Sequence, residues 1–134
     1  MTEAINIKTV MDAVTDQWAP RIVSTVNDYD VKVANVGGDF LEHVHDDTDE
    51  FFLVLAGRFR IELPTQTVEL GVGDVFTVPR GVRHKPSADE GTRILMFEPR
   101  GTPNTGDAAT AGEVRLVDQP DRRCRRTSRV AVSR

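Results

Sequence analysis

The sequence predicts an all-β fold, a sandwich or jelly roll, with one short helix at its N-terminus. Three observations point there. Only residues 7–18 carry apolar side chains at helical spacing, with Val10, Met11, Val14 and Trp18 forming one stripe. From residue 22 onward the chain is a succession of short β-branched or alternating runs. Turn residues separate those runs every several positions, the usual signature of a sandwich or barrel.

In order, Pro20 limits the helix on its C-terminal side. Residues 22–26 read as a strand, residues 28–30 as a turn and residues 31–36 as the next strand. Residues 40–45 are expected to be extended. Residues 50–56 are continuously apolar after Glu50, which predicts a strand buried on both faces. Gly57 breaks it. Residues 58–63 alternate, with Phe59, Ile61 and Leu63 on one face and Arg58, Arg60 and Glu62 on the other, so that strand is half-buried. Further strands are expected around Val68 and Leu70, over residues 75–78, over 83–88 and over 92–98, with turns at 64–66, 71–74 and 79–81.

At 134 residues the chain is long enough for one domain with a real core. We place that domain at residues 1–112 and a separate Arg-rich tail at 113–134. A formal net charge of −4 argues against a nucleic-acid binder. The basic run at 121–129 reads as a solvated or partner-packed tail. The lone Cys124 cannot form an internal disulfide. The N-terminus lacks the pattern of a secretion signal, and no apolar run approaches the roughly 20 residues that cross a bilayer. A cytoplasmic protein that engages neither nucleic acid nor membrane is the expectation.

The chemistry lies in the histidines. The chain has three, His43, His45 and His84. His43 and His45 are two residues apart, so on a strand both imidazoles reach one face. The acidic turn 46–49 lets a second strand return with Glu50 beside them. His84 arrives from far along the chain, after Pro79 and Gly81. Three imidazoles and a carboxylate suit one divalent transition metal: iron, manganese, nickel, copper or zinc. Four protein ligands leave coordination positions open for catalysis. By strand parity, Leu41 joins His43 and His45, while Phe52 and Val54 join Glu50. With Phe76 and Met96 they form an expected pocket lining, mostly apolar, for a small and partly hydrophobic substrate. Asp46, Asp47 and Asp49 read as a solvated turn, and Arg80, Arg83 and Lys85 as charges on a barrel rim.

These residues fall in two patterns. One is Gly37-x5-His43-x-His45-x4-Glu50-x6-Gly57, and the other is Gly73-x5-Pro79-x-Gly81-x2-His84. Both resemble the two motifs of the cupin superfamily. The second departs from it at Ala88, where cupins often carry Asn. The resemblance covers about residues 20–107. The stretch 42–63 is similar to small single-domain cupins labelled as resembling mannose-6-phosphate isomerases. The resemblance implies a conical double-stranded β-helix, a jelly-roll barrel with its metal inside. It also implies His43, His45, Glu50 and His84 as ligands, with Glu50 able to act on protons. Cupins of this size commonly dimerise, and here Phe51, Leu53 and Leu55 form an apolar face opposite the pocket. That face needs cover from the N-terminal segment or a second copy. Fold does not fix function, so three classes stand. An oxygenase-like metalloenzyme is placed first. A sugar-phosphate isomerase is second, disfavoured by the short chain. A non-catalytic small-molecule binder is third.

Overall fold

The computed structural model describes residues 3–104. The Arg-rich stretch 113–134 lies outside the described residues. The first element is helix α1, Ile7–Asp12. Asn6 caps it, its side chain accepting a hydrogen bond from the Thr9 amide at 2.9 Å. The helix stops six residues earlier than its apolar stripe predicts. The cause is tertiary: Asn35 donates from Nδ2 to the carbonyls of Met11 and Val14, at 3.1 and 3.0 Å. The chain then runs on as a strap in which the Trp18 amide donates to the Asn35 carbonyl.

Strands β1 (Arg21–Val26) and β2 (Tyr29–Asp39) form an antiparallel hairpin. The turn sits at Asn27 and Asp28, with Asn27 left-handed at φ 54°, and β2 begins two residues before the expected strand. Next come β3 (Glu50–Ala56), β4 (Phe59–Glu62), β5 (Thr67–Leu70) and β6 (Val75–Val78). The last, β7 (Lys85–Pro99), merges the two strands expected over 83–88 and 92–98. β7 is the spine of the barrel. Its second half pairs with β2 on one side and β3 on the other, and its first half pairs with β4 and the end of β2. The sheet order is β1-β2-β7-β3-β6, and β4 pairs with both β5 and β7. Every pairing is antiparallel, and the sheet folds on itself as a jelly-roll barrel.

Inward and outward positions alternate along each strand. On β3, Glu50, Phe52 and Val54 are buried, whereas Phe51, Leu53 and Leu55 are only half-buried. Among the described residues the strand is therefore buried on one face, not two, because no second sheet meets its outer face. The barrel interior holds Ala34, Val36, Phe52, Val54, Phe59, Ile61, Leu70, Ile94 and Met96. A second cluster outside the barrel packs α1 on the sheet through Met11, Val23 and Val33, with Leu55 and Leu95 at its margin. The N-terminal segment thus covers part of the outer apolar face.

One part of the interior is ionic. Lys32 and Glu98 are each 2% exposed and pair at 2.8 Å. The Lys32 ammonium also donates to the Thr102 carbonyl at 3.2 Å. Burial pushes the Glu98 carboxyl up to about 7, helped by the nearby Glu50 charge and opposed by Lys32.

Candidate metal centre

Two loops bring the ligand candidates together. Residues 40–49 and 79–84 lie side by side, and His43 and His84 exchange a pair of backbone hydrogen bonds, each 2.9 Å. The His45 carbonyl accepts from the Gly81 amide at 2.8 Å. Gly81 has φ 80°, a conformation that suits glycine, and it turns the chain into the approach to His84. Asp49 ties the loops from outside, accepting from the Arg80 backbone at 2.9 Å and its guanidinium at 3.2 Å. Arg80 holds the Asp49 carboxyl below its ordinary value. Arg80 and Lys85 are thus engaged at the rim, by Asp49 and Asp39 respectively. Asp46 and Asp47 are exposed.

Inside, all four candidates are buried, and their ligand atoms lie within 4.8 Å of one another. Glu50 Oε1 is 3.1 Å from Nε2 of both His45 and His84, and 4.0 Å from Nε2 of His43. The opposite ring nitrogens are used elsewhere. Nδ1 of His43 lies 2.8 Å from the Leu41 carbonyl, and Nδ1 of His84 lies 2.9 Å from the Val82 carbonyl. A carbonyl only accepts, so each Nδ1 must carry the proton and each neutral ring turns a bare Nε2 inward. Bare nitrogen lone pairs facing a carboxylate oxygen need a cation between them. The Nε2 atoms of His43 and His45 have no hydrogen-bond partner. The donor set therefore fits a transition metal held by His43, His45, Glu50 and His84.

The electrostatics agree. Burial lowers the His43 pKa, which favours the neutral imidazole a ligand must be. For His45 burial acts the same way, but the Glu50 carboxylate outweighs it and leaves the pKa raised. For Glu50 burial opposes ionisation, but the His45 and His84 rings beside its carboxylate hold it down at about 2. That carboxylate is ionised at any ordinary pH.

A small cavity, partly open to solvent, adjoins these residues. His43 and Glu50 line it, whereas His45 and His84 do not. Phe52 and Met96 lie on its wall as expected by parity. Val54 does not. It is 1% exposed and packs in the barrel core. Phe76 is partly buried against that core and also stands off the cavity. Leu41 is a correction: it is 55% exposed, and Phe40 lines the cavity instead. The parity count assumed a continuous strand, but β2 ends at Asp39 and residues 40–42 leave strand geometry. Sequence reasoning also missed Trp18, Pro20 and Asn104 on this wall. Trp18 was counted in a helix stripe, and Asn104 comes from beyond the last strand.

The model of the family described as "Cupin domain" matches residues 31–98. This chain belongs to the cupin family. The cupin is 31% identical over 99 residues to protein YdbB of Bacillus subtilis (strain 168), covering 73% of this chain and 88% of that one. Among solved structures, it is similar to a cupin-2 domain containing protein from Shewanella frigidimarina. That pair shares 38% identity and a TM-score of 0.70, over 72% of this chain and 94% of that one. It also resembles hydroquinone 1,2-dioxygenase from Sphingomonas sp. TTNP3, solved with 4-hydroxybenzoate bound. There the TM-score is 0.67 at 22% identity, over 84% of this chain and 36% of that one, a likeness of fold alone. Among the described residues, no helix of this cupin is long and apolar enough to cross a membrane.

Proposed function

We propose that this cupin is a metal-dependent small-molecule enzyme with oxygenase-like chemistry. The observation that carries this reading is the convergence of three imidazoles and one carboxylate beside an apolar cavity that reaches two of them. A transition metal held by His43, His45, Glu50 and His84 would supply Lewis acidity and, as iron, redox chemistry with O₂. The chain's own residues define the rest. His43 and Glu50 present the ligand set to the cavity, so substrate approaches from their side. Glu50 is the lining carboxylate and the candidate catalytic group. Its low pKa suits a ligand first and a proton acceptor second. The wall beside His43 and Glu50 is mostly apolar.

The same wall counts against a sugar-phosphate isomerase. Among the described residues, no Lys, Arg, Ser, Thr or Tyr lines the cavity. A phosphorylated sugar would leave its hydroxyls and charge unpaired there. The decisive experiment is metal content by mass spectrometry on protein purified without chelator or nickel, followed by O₂ uptake after anaerobic loading with Fe(II). About one ion per chain and iron-dependent O₂ consumption with substrate support the reading. If no metal is taken up under any condition, a small-molecule binder is the better description. We further propose that the cupin is a homodimer, joined through the outer sheet face that α1 leaves uncovered.

A further inference from the structure

The cavity beside His43 and Glu50 has room for a water and nothing larger. Its volume is about 20 Å³, against the roughly 15 Å³ that a water needs and the roughly 300 Å³ of a small ligand cleft. A substrate reaches His43 only if part of the wall moves. Most of the wall is fixed. Ala34 and Val36 belong to β2, Phe52 to β3, and Ile94 and Met96 to β7, the three paired strands at the centre of the barrel. Phe40 and Pro86 are joined by a backbone hydrogen bond of 2.9 Å. What remains is the strap, residues 13–20, which brings Trp18 and Pro20, and Asn104, whose side-chain amide donates to the Trp18 carbonyl at 3.5 Å. The Trp18 ring closes the wall by stacking on Phe40, with centroids 4.9 Å apart, and Phe40 stands edge-on to His43 at 5.5 Å. The strap is free to shift. Val14, Thr15 and Gln17 border a separate cleft of about 360 Å³, with Gly91 and Arg93 of β7 also on its wall. The strap therefore lacks the close packing of an interior segment there. Polar contacts hold it, among them the Trp18 amide to the Asn35 carbonyl at 2.8 Å, the indole N–H to the Gly37 carbonyl at 2.9 Å and the Gln17 amide to the Glu90 carboxylate at 3.3 Å. Water can replace each of these bonds at little net cost. The Trp18 backbone is left-handed, φ 58°, which is unfavourable for a bulky residue and favours its release.

We propose that the strap is a gate and Trp18 its moving part: the indole swings off Phe40 to admit ligands to the His43–Glu50 side of the centre. The proposal rests on the functional reading above only in taking that side as the substrate's approach. Trp18 then sets which molecules enter and how fast, and takes no part in the chemistry. The movement is confined to residues 13–20. At one end α1 is fixed by buried Met11 and by the Asp12–Arg93 ion pair at 2.8 Å, and at the other the chain enters β1.

The metal-free full chain is treated with diethyl pyrocarbonate, which acylates neutral imidazole nitrogens and is far larger than the cavity. All three histidines of the chain belong to this centre, and of them only His43 lines the cavity. Peptide mass mapping reads the reaction at each one. In the unmodified chain His43 should react slowly. Trp18→Gly removes the indole and suits the left-handed backbone, so His43 should there react at least about tenfold faster. His84, which is 1% exposed and off the cavity, should keep its rate. Amide hydrogen exchange on the unmodified chain needs no variant. The Trp18 amide should exchange through local opening, at least about 100-fold faster than the slowest amides of β2 and β7. Equal His43 rates in the two chains overturn the gate. So does a rise shared by His43 and His84, which means general loosening. So does a Trp18 amide that exchanges only together with the sheet, because the strap then opens only when the fold does. A gate that fails in these ways leaves the metal reading standing, and a chain that takes up no metal leaves the gate standing.

Discussion

Glu50 Oε1 lies 3.1 Å from two imidazole nitrogens, and one of those rings, His84, already commits its other nitrogen to a carbonyl. Removing a ligand from such a set costs more than removing an outer partner, which alone costs about 10- to 100-fold in metal affinity. His84→Ala should therefore weaken metal binding by more than about 100-fold, read by competition with a chelator of known affinity. Full stoichiometric metal at unchanged affinity would exclude His84 as a ligand. Glu98 gives a second prediction. Its folded-state pKa, about 7, stands above the ordinary 4.5, so the native chain keeps a proton that the unfolded chain has released. The stability tied to that proton is complete below 4.5 and drains away as pH rises through 7. Glu98→Gln cannot lose a proton. In metal-free protein it should gain on the unmodified chain from about pH 5 to about 8, by on the order of 1–3 kcal/mol. Thermal melts across that range test it, and parallel curves for the two proteins would contradict it. The His43–His45–Glu50–His84 set was legible in the sequence as a candidate, because all three histidines of the chain fall in two spaced patterns. The Lys32–Glu98 pair was not. Nothing near Lys32 in the chain signals that its partner comes from β7.

Gly57 separates β3 from β4 at φ 82°, and a Cβ there would come within 2.7 Å of the Thr92 Cα. That neighbour is backbone of the central strand and cannot step aside. Gly57→Ala should destabilise the fold by more than about 2 kcal/mol, combining backbone strain with overpacking. Chemical denaturation measures it, and a loss under 0.5 kcal/mol, the ordinary level for a surface change, would mean that β7 yields. The same scale shows why some elements were readable and others not. β4 alternates cleanly, and Phe59 and Ile61 are fully buried as the pattern requires. The helix was over-extended because Val14 and Trp18 continue the apolar spacing of Val10. Spacing carries no information about Asn35, whose amide ends the helix from another element. Leu41 failed for a related reason: parity is a property of unbroken strands, and this one breaks at Asp39.

At the scale of the molecule, the outer sheet face sets the assembly prediction. Tyr29 stacks on Phe97 at 4.9 Å, while Val26, Tyr29 and Val75 are 48%, 40% and 57% exposed. Phe51 pairs with Phe97 and Leu53 with Leu95 across β3 and β7, which extends one apolar stripe. Such a stripe is covered in a dimer. Light scattering should give twice the chain mass, and Phe97→Glu should reduce it to one; a monomeric unmodified chain would refute the dimer. The barrel was readable as a class, from many short strands and one helix. The cavity was not, since Trp18, Phe40 and Asn104 reach it from three separate segments. A last consequence follows from the three imidazoles that meet at Glu50. They are all the imidazoles the chain possesses. A nitrogen-15 NMR spectrum of the histidine side chains would therefore contain three spin systems and no bystanders. Tautomer, protonation and ion occupancy at the centre of the barrel could be followed together there, without assigning the rest of the protein.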